Sequence, residues 1–133
     1  MLTEQDRQAI GDLMIRYCNM IDERRFSRYA EVFTPSARYD LAACGFARYH
    51  GKAEIIAFLK VAPHPLLHVN MNLELTPQTA DRVRAFSRCL AIGPDGLTRL
   101  ATYHDVVLRT PSGWRLDERV VIPRGSDTIP EVS

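Results

Sequence analysis

Apolar residues recur at helical spacing near the start of the chain. Ile10, Leu13, Met14, Tyr17 and Ile21 fall on one face of a helix running from about Glu4 to Met20. Thr3, with Asp6 three residues later, has the form of a capping pair at its beginning. Phe26, Tyr29, Ala30 and Phe33 predict a second, shorter helix from Glu23 to Phe33, closed by Thr34-Pro35. The period then changes to two. Ala37, Tyr39 and Leu41 alternate with Arg38 and Asp40, and a short run from Phe46 to His50 follows the break at Cys44-Gly45, which together predict a hairpin. Gly51 to Lys60 returns to helical character and ends at Pro63 and Pro65.

Three or four strands are expected between Leu66 and Ile122, separated by Pro77, by Gly93-Pro94-Asp95-Gly96 and by Pro111-Ser112-Gly113. Such short connections pair consecutive strands antiparallel, so the C-terminal half reads as a meander onto which the helices fold. The fold class is therefore α+β, in one domain over residues 1–124 with a loose tail over 125–133. At 133 residues about two thirds of the unfolded chain's surface can be buried, enough for one core.

Composition narrows the partners. Seventeen basic against 16 acidic residues give a net charge of +1, so neither nucleic acid nor an anionic membrane surface is an expected partner. Two arginine groups, Arg24-Arg25-Arg28 and Arg82-Arg84-Arg88, read as solvated faces. Cys18, Cys44 and Cys89 are too few and too scattered for a disulfide framework or a zinc site, and the N-terminus lacks the form of a signal peptide. A cytoplasmic protein with a small-molecule partner and no cofactor or metal is expected.

The candidate chemistry centres on Leu66 to Leu75, where His68 and Asn70 share one face and Leu67, Val69, Met71 and Leu73 the other. Either face can be the solvent face. If His68 points into a pocket, the apolar set lies outside and calls for a second copy of the chain, a dimer or trimer. Thr102 and His104 sit among Leu100, Val106 and Leu108, isolated polar groups on an apolar face, the pattern of a pocket wall. Arg119 alternates with Trp114, Leu116 and Glu118, and its direction stays open. Asp22 follows the first helix and has an obvious structural task as cap of the second. Tyr17, on the apolar stripe, reads first as a half-buried core residue.

In their order along the chain, Arg16-Tyr-Cys-Asn-Met-Ile-Asp22, Ala30-Glu-Val-Phe-Thr-Pro-Ser-Ala-Arg-Tyr-Asp40, Gly51 before a helix, His64-Pro-Leu-Leu-His68-Val-Asn70, Ala101-Thr-Tyr-His-Asp-Val-Val-Leu-Arg109 and Gly113-Trp-Arg-Leu-Asp-Glu-Arg119 resemble the SnoaL-like branch of the nuclear-transport-factor-like superfamily. The resemblance spans nearly the whole chain. It implies a cone-shaped, curved antiparallel or mixed sheet with three helices in the N-terminal half enclosing a pocket. Scytalone dehydratase, bile-acid dehydratase, hexachlorocyclohexane dehydrochlorinase, ketosteroid isomerase and non-catalytic dioxygenase beta subunits share that scaffold, so fold alone does not assign activity.

In the eliminating members an aspartate after the first helix pairs with a histidine on the first long strand, and Asp22 and His68 stand at those places. The resemblance therefore implies a lyase or isomerase in which His68 is the base and Asp22 its orienting partner, and Tyr17, His104 or Arg119 is the candidate donor. Asn70, Thr102, His104 and Phe33 are the expected walls around an apolar or polycyclic ligand. The alternative is a module that binds such a ligand, or supports another enzyme, without chemistry of its own.

Overall fold

The structure, a computed structural model, describes residues 1–125. Helix α1 runs over Glu4–Asp22 and opens on a full capping box, with the Thr3 hydroxyl accepting from the Asp6 amide while the Asp6 carboxylate accepts from that of Thr3. Its buried stripe includes Ile10, Leu13, Met14, Tyr17 and Ile21, the set expected from the period. The second helix is shorter than expected and tighter, a 3-10 helix over Phe26–Glu31. Phe33, Thr34 and Pro35 already belong to strand β1, Phe33–Asp40. A proline is accommodated there because pairing with the neighbouring strand breaks register between Phe33 and Arg38, so no ladder amide is missed.

Strand β2, Arg48–His50, completes the predicted hairpin with β1. Helix α2, Lys52–Val61, starts from Gly51, whose φ of 91° lies in the region that disfavours a side chain. Strands β3 (Leu67–Thr79), β4 (Arg82–Ile92), β5 (Thr98–Thr110) and β6 (Gly113–Arg124) form the predicted meander. Pro77 does not separate strands, as expected from its chemistry, but lies inside β3. There it is tolerated because β3 is an edge strand with a register break between Pro77 and Thr79. The six strands make one curved mixed sheet in the order β2-β1-β6-β5-β4-β3, antiparallel except for β1 beside β6. The expectation of a loose tail over 125–133 lies, from residue 126 onward, outside the described residues. Among the described residues no helix is long and apolar enough to cross a membrane.

Helix α1 packs across one face of this sheet, against β3 and β6, and makes that face the inner one. Two irregularities decide which side chains reach it. Asn72, with a φ of 56°, sits in a bulge between Met71 and Glu74 of β3. Before the bulge His68 and Asn70 are opposite Ala91 and Cys89 on the inner side; after it Leu73 and Leu75 turn in and pack on the core. Leu73 therefore does not line the outer face, as strict alternation implies. A second register shift, between Val106 and Val107, spans an extra residue of β6, so that Leu116 and Arg119, of opposite parity, are both buried. These shifts curl the sheet, and the core of Ile10, Leu13, Met14, Tyr29, Ile55, Leu59 and Leu116 fills one end of it.

Candidate active site

The other end of the inner face is open as a cavity of about 510 Å³. Its walls are largely aromatic and aliphatic, with Tyr17 from α1, Tyr39 from β1, Phe58 from α2 and Tyr103 from β5. Polar atoms are few, which is the composition expected of a small-molecule site. His68 and His64 supply two of them.

Asp22 ends α1 beside the start of β3. Its carboxylate accepts from the backbone amide of His68 at 2.8 Å and from His68 Nδ1 at 2.5 Å. It does not cap the following helix, which is preceded by Arg25 and has no side-chain cap. Both side chains are nearly buried, with 10% of His68 and 5% of Asp22 exposed. Because a carboxylate only accepts, the Nδ1 proton is fixed on the Asp22 side and Nε2 keeps its lone pair when the ring is neutral. Among the described residues the only sealed side-chain nitrogen or oxygen atoms without a partner are Tyr29 Oη and Arg119 Nη1. His68 Nε2, which also has no partner, is thus open, and its residue lines the cavity.

The hydroxyls of Tyr17 and Tyr39 are hydrogen-bonded to each other at the inner end of the cavity. Burial and the neighbouring tyrosines hold Tyr17 well above the ordinary tyrosine range, and burial pushes Tyr39 up to about 12. Both remain proton donors at neutral pH. Two hydroxyls carry two protons and their mutual bond uses one, so the pair retains one to offer.

Arg119 lies below them, 1% exposed, its Nε and Nη2 donating to Asp105 at 2.8 and 2.9 Å. Its guanidinium is 4.2 Å from the Tyr17 ring centre and 3.9 Å from that of Tyr103. Burial works against its charge, but Asp105 and the two tyrosines hold it well on the charged side. Arg119 therefore points inward yet does not line the cavity, and the expectation that it touches ligand is corrected: Tyr17 and Tyr103 stand between.

Four expected walls are placed elsewhere. Thr102 and His104 are on the outer face of β5, across from Arg88 and Phe86, and Thr102 Oγ1 is 3.3 Å from His104 Nε2. The cavity wall on this strand comes mainly from the opposite set, Arg99, Ala101 and Tyr103, joined near the strand's start by Leu100. Phe33 is buried in the core, edge-on to Tyr17, and does not reach the cavity. Asn70 shares the inner face with His68 but spends its amide on Ser87 Oγ and the Arg88 carbonyl. Conversely, Tyr39 and His64 line the cavity without having been singled out. Tyr39 carried a usable signal, its place in the Ala37-Tyr39-Leu41 apolar set; His64, between two prolines, carried none that separates a wall from a loop. Among the described residues no three His, Cys, Asp or Glu side chains converge as a metal site requires.

Comparison with known proteins agrees with this architecture. Residues 3–120 match the model of the SnoaL-like domain. An uncharacterized protein of Mycobacterium tuberculosis strain H37Rv is 32% identical over 124 residues, covering 86% of this chain and 83% of its own. Among solved structures, a protein of Novosphingobium aromaticivorans described as NTF2-like with a cystatin-like fold superposes with a TM-score of 0.80 at 22% identity, over 93% of this chain and 85% of that one. Hexachlorocyclohexane dehydrochlorinase LinA-type3 of Novosphingobium barchaimii gives 0.77 at 21% identity, over 98% and 99%.

Proposed function

The chain belongs to the family of SnoaL-like domains, and from that premise we propose that it is a small-molecule lyase or isomerase that removes a proton from carbon in its apolar cavity. The observation that carries this reading is the Asp22–His68 pair, with one imidazole nitrogen tied to a carboxylate and the other open to the cavity. His68 Nε2 takes the proton from carbon as general base. Asp22 keeps the ring in the competent tautomer and stabilises the imidazolium as it forms. The electron pair left on carbon then forms a double bond and expels a group on the neighbouring atom with its bonding pair, or displaces an adjacent double bond whose far carbon takes the proton back from His68.

Negative charge develops on an oxygen or a leaving group as the proton is lost. The spare proton of the Tyr17–Tyr39 pair meets it, and between largely apolar walls such a fixed donor is worth more than in bulk solvent. Arg119 acts through Tyr17 as a positioning residue, its charge beneath the ring favouring negative charge above. Every step uses side chains of this chain alone. The fold neighbour described as a dehydrochlorinase carries out a reaction of this kind, which supports elimination as the class.

The test is a panel of small ring compounds with a hydroxyl or halide next to an acidic C–H, followed by absorbance of the new double bond. His68→Ala and Asp22→Asn are expected to lower turnover by roughly two to four powers of ten with melting temperature nearly unchanged. Retention of activity by both variants on a substrate the parent turns over refutes the dyad.

A further inference from the structure

His64 lies between Pro63 and Pro65 in the link from α2 to β3, on the wall of the same cavity as His68. Its Nε2 is 2.6 Å from the carbonyl oxygen of Leu59. That carbonyl belongs to the last turn of α2, where oxygens have no partner within the helix. A carbonyl only accepts, so Nε2 must carry a proton, and the neutral ring then has its lone pair on Nδ1. Nδ1 makes no hydrogen bond and is not among the sealed atoms of the described residues. The flanking prolines restrict the backbone on both sides, and the bond to Leu59 orients the ring.

The charge state follows from the surroundings. Burial lowers the affinity of His64 for a second proton, against the pull of the Leu59 carbonyl. The neighbouring His68, whenever it holds a second proton, and the charge of Arg24 lower it further, and Asp22 opposes them. Near neutral pH the ring is thus uncharged and Nδ1 is an acceptor in a fixed place. An acceptor open on an apolar-walled cavity favours ligands that bring a donor, because any other ligand covers the lone pair without replacing its water.

We propose that His64 is a specificity-determining residue: its Nδ1 accepts a hydrogen bond from a hydroxyl group carried by an apolar, aromatic-sized ring bound in the cavity. The aromatic lining by Tyr39, Phe58 and Tyr103 supplies the ring-binding part of this recognition, and about 510 Å³ is room for fused rings. This deepens the functional reading above and rests on the same cavity being the substrate site, but not on His68 acting as a base. A role limited to capping α2 involves only Nε2 and gives no preference among ligands.

The experiment compares binding of naphthol and of its methyl ether, which has the same ring and lacks the donor, by titration calorimetry at neutral pH. Wild-type protein is expected to prefer naphthol by roughly fivefold to tenfold, the worth of one net hydrogen bond. His64→Phe, which keeps the ring volume, brings the ratio close to one. His64→Asn, which can present an amide oxygen, retains part of it, whereas His68→Ala leaves it in place. As a second readout, nitrogen NMR of histidine-labelled wild-type protein should show Nδ1 of His64 without a proton and shifting when naphthol, but not its ether, is added. The proposal is overturned if naphthol fails to bind the wild-type protein, if His64→Phe keeps the preference while folded, or if the preference disappears with His68→Ala instead. A failure of the dyad reading shows itself separately, in turnover by the His68 and Asp22 variants.

Discussion

Replacing Asp105 by Ala would strip Arg119 of both hydrogen bonds to its counter-charge and leave a guanidinium that is 1% exposed with no anion beside it. The side chains of the pair are 1% and 0% exposed, so water cannot take over the role of the carboxylate. Breaking one side of such a buried pair costs about 3–5 kcal/mol. The faces of Tyr17 and Tyr103 already touch the cation and gain nothing from the change, while Met14 Sδ is a weak acceptor. Against a typical total of about 5–15 kcal/mol the loss is large. For a chain of this size it corresponds to a drop of roughly 10–20 °C in melting temperature.

Urea denaturation with the slope checked for constancy gives the difference directly. The double variant Asp105→Ala with Arg119→Met removes charge and counter-charge together, keeping the apolar stem under the tyrosines. It should recover at least about 2 kcal/mol of the loss, since the penalty is that of an orphaned charge and not of a missing contact. If the single variant loses under about 1 kcal/mol, or if the double variant is no more stable than the single, Arg119 is not the buried cation the geometry describes. A role at the ligand surface would then have to be reconsidered.

Tyr39→Phe breaks the hydroxyl pair and is expected to lower turnover by roughly ten- to a hundredfold with little change in KM, measured on any substrate found by the panel; unchanged turnover removes Tyr39 from the donor role. Asp6 is held below the usual carboxylate range, chiefly by its bond to Arg109. Its folded-state value being depressed, the stability it supplies is complete above the unfolded carboxyl range and is lost as pH falls through the folded one. Asp6→Asn should therefore lower stability at neutral pH and flatten its fall in acid, which melting curves between neutral and strongly acidic pH will show. Leu67, Val69, Leu90 and Ile122 share the outer face of β3, β4 and β6, and Leu67, Val69 and Ile122 are exposed there. A homo-oligomer joined through this face is expected to scatter as a multiple of 15.1 kDa and to fall to the monomer on Val69→Glu with Ile122→Glu; a monomeric parent contradicts it.

The N-terminal helix, the β1–β2 hairpin, α2 and the meander were legible from the chain because each rests on local rules: a capping box, a change of period from 3.6 to 2, and breakers between strands. The second helix ends before Phe33 although Phe26, Tyr29 and Phe33 suit a helix face, because pairing of Phe33 with Leu116, distant in sequence, claims it for the sheet. Resemblance singled out Asp22 and His68, but no local signal could say that residues 46 apart would share a hydrogen bond.

Alternation along a strand sorts side chains into two sets and is silent about which set is covered. That is why Thr102 and His104, isolated polar groups among leucines and valines, looked like a wall and stand on the far side of the sheet. The bulge at Asn72 swaps the sets partway along β3, so His68 and Leu73, of opposite parity, face the same way. What the sequence by itself determined was the set of elements, their antiparallel order and the separation of polar from apolar positions, since these depend on neighbours along the chain. Only the tertiary structure decided which face α1 covers, that Arg119 is sealed beneath Tyr17 and that His64 joins His68 on one cavity, because those follow from where distant segments pack and not from any pattern within one of them.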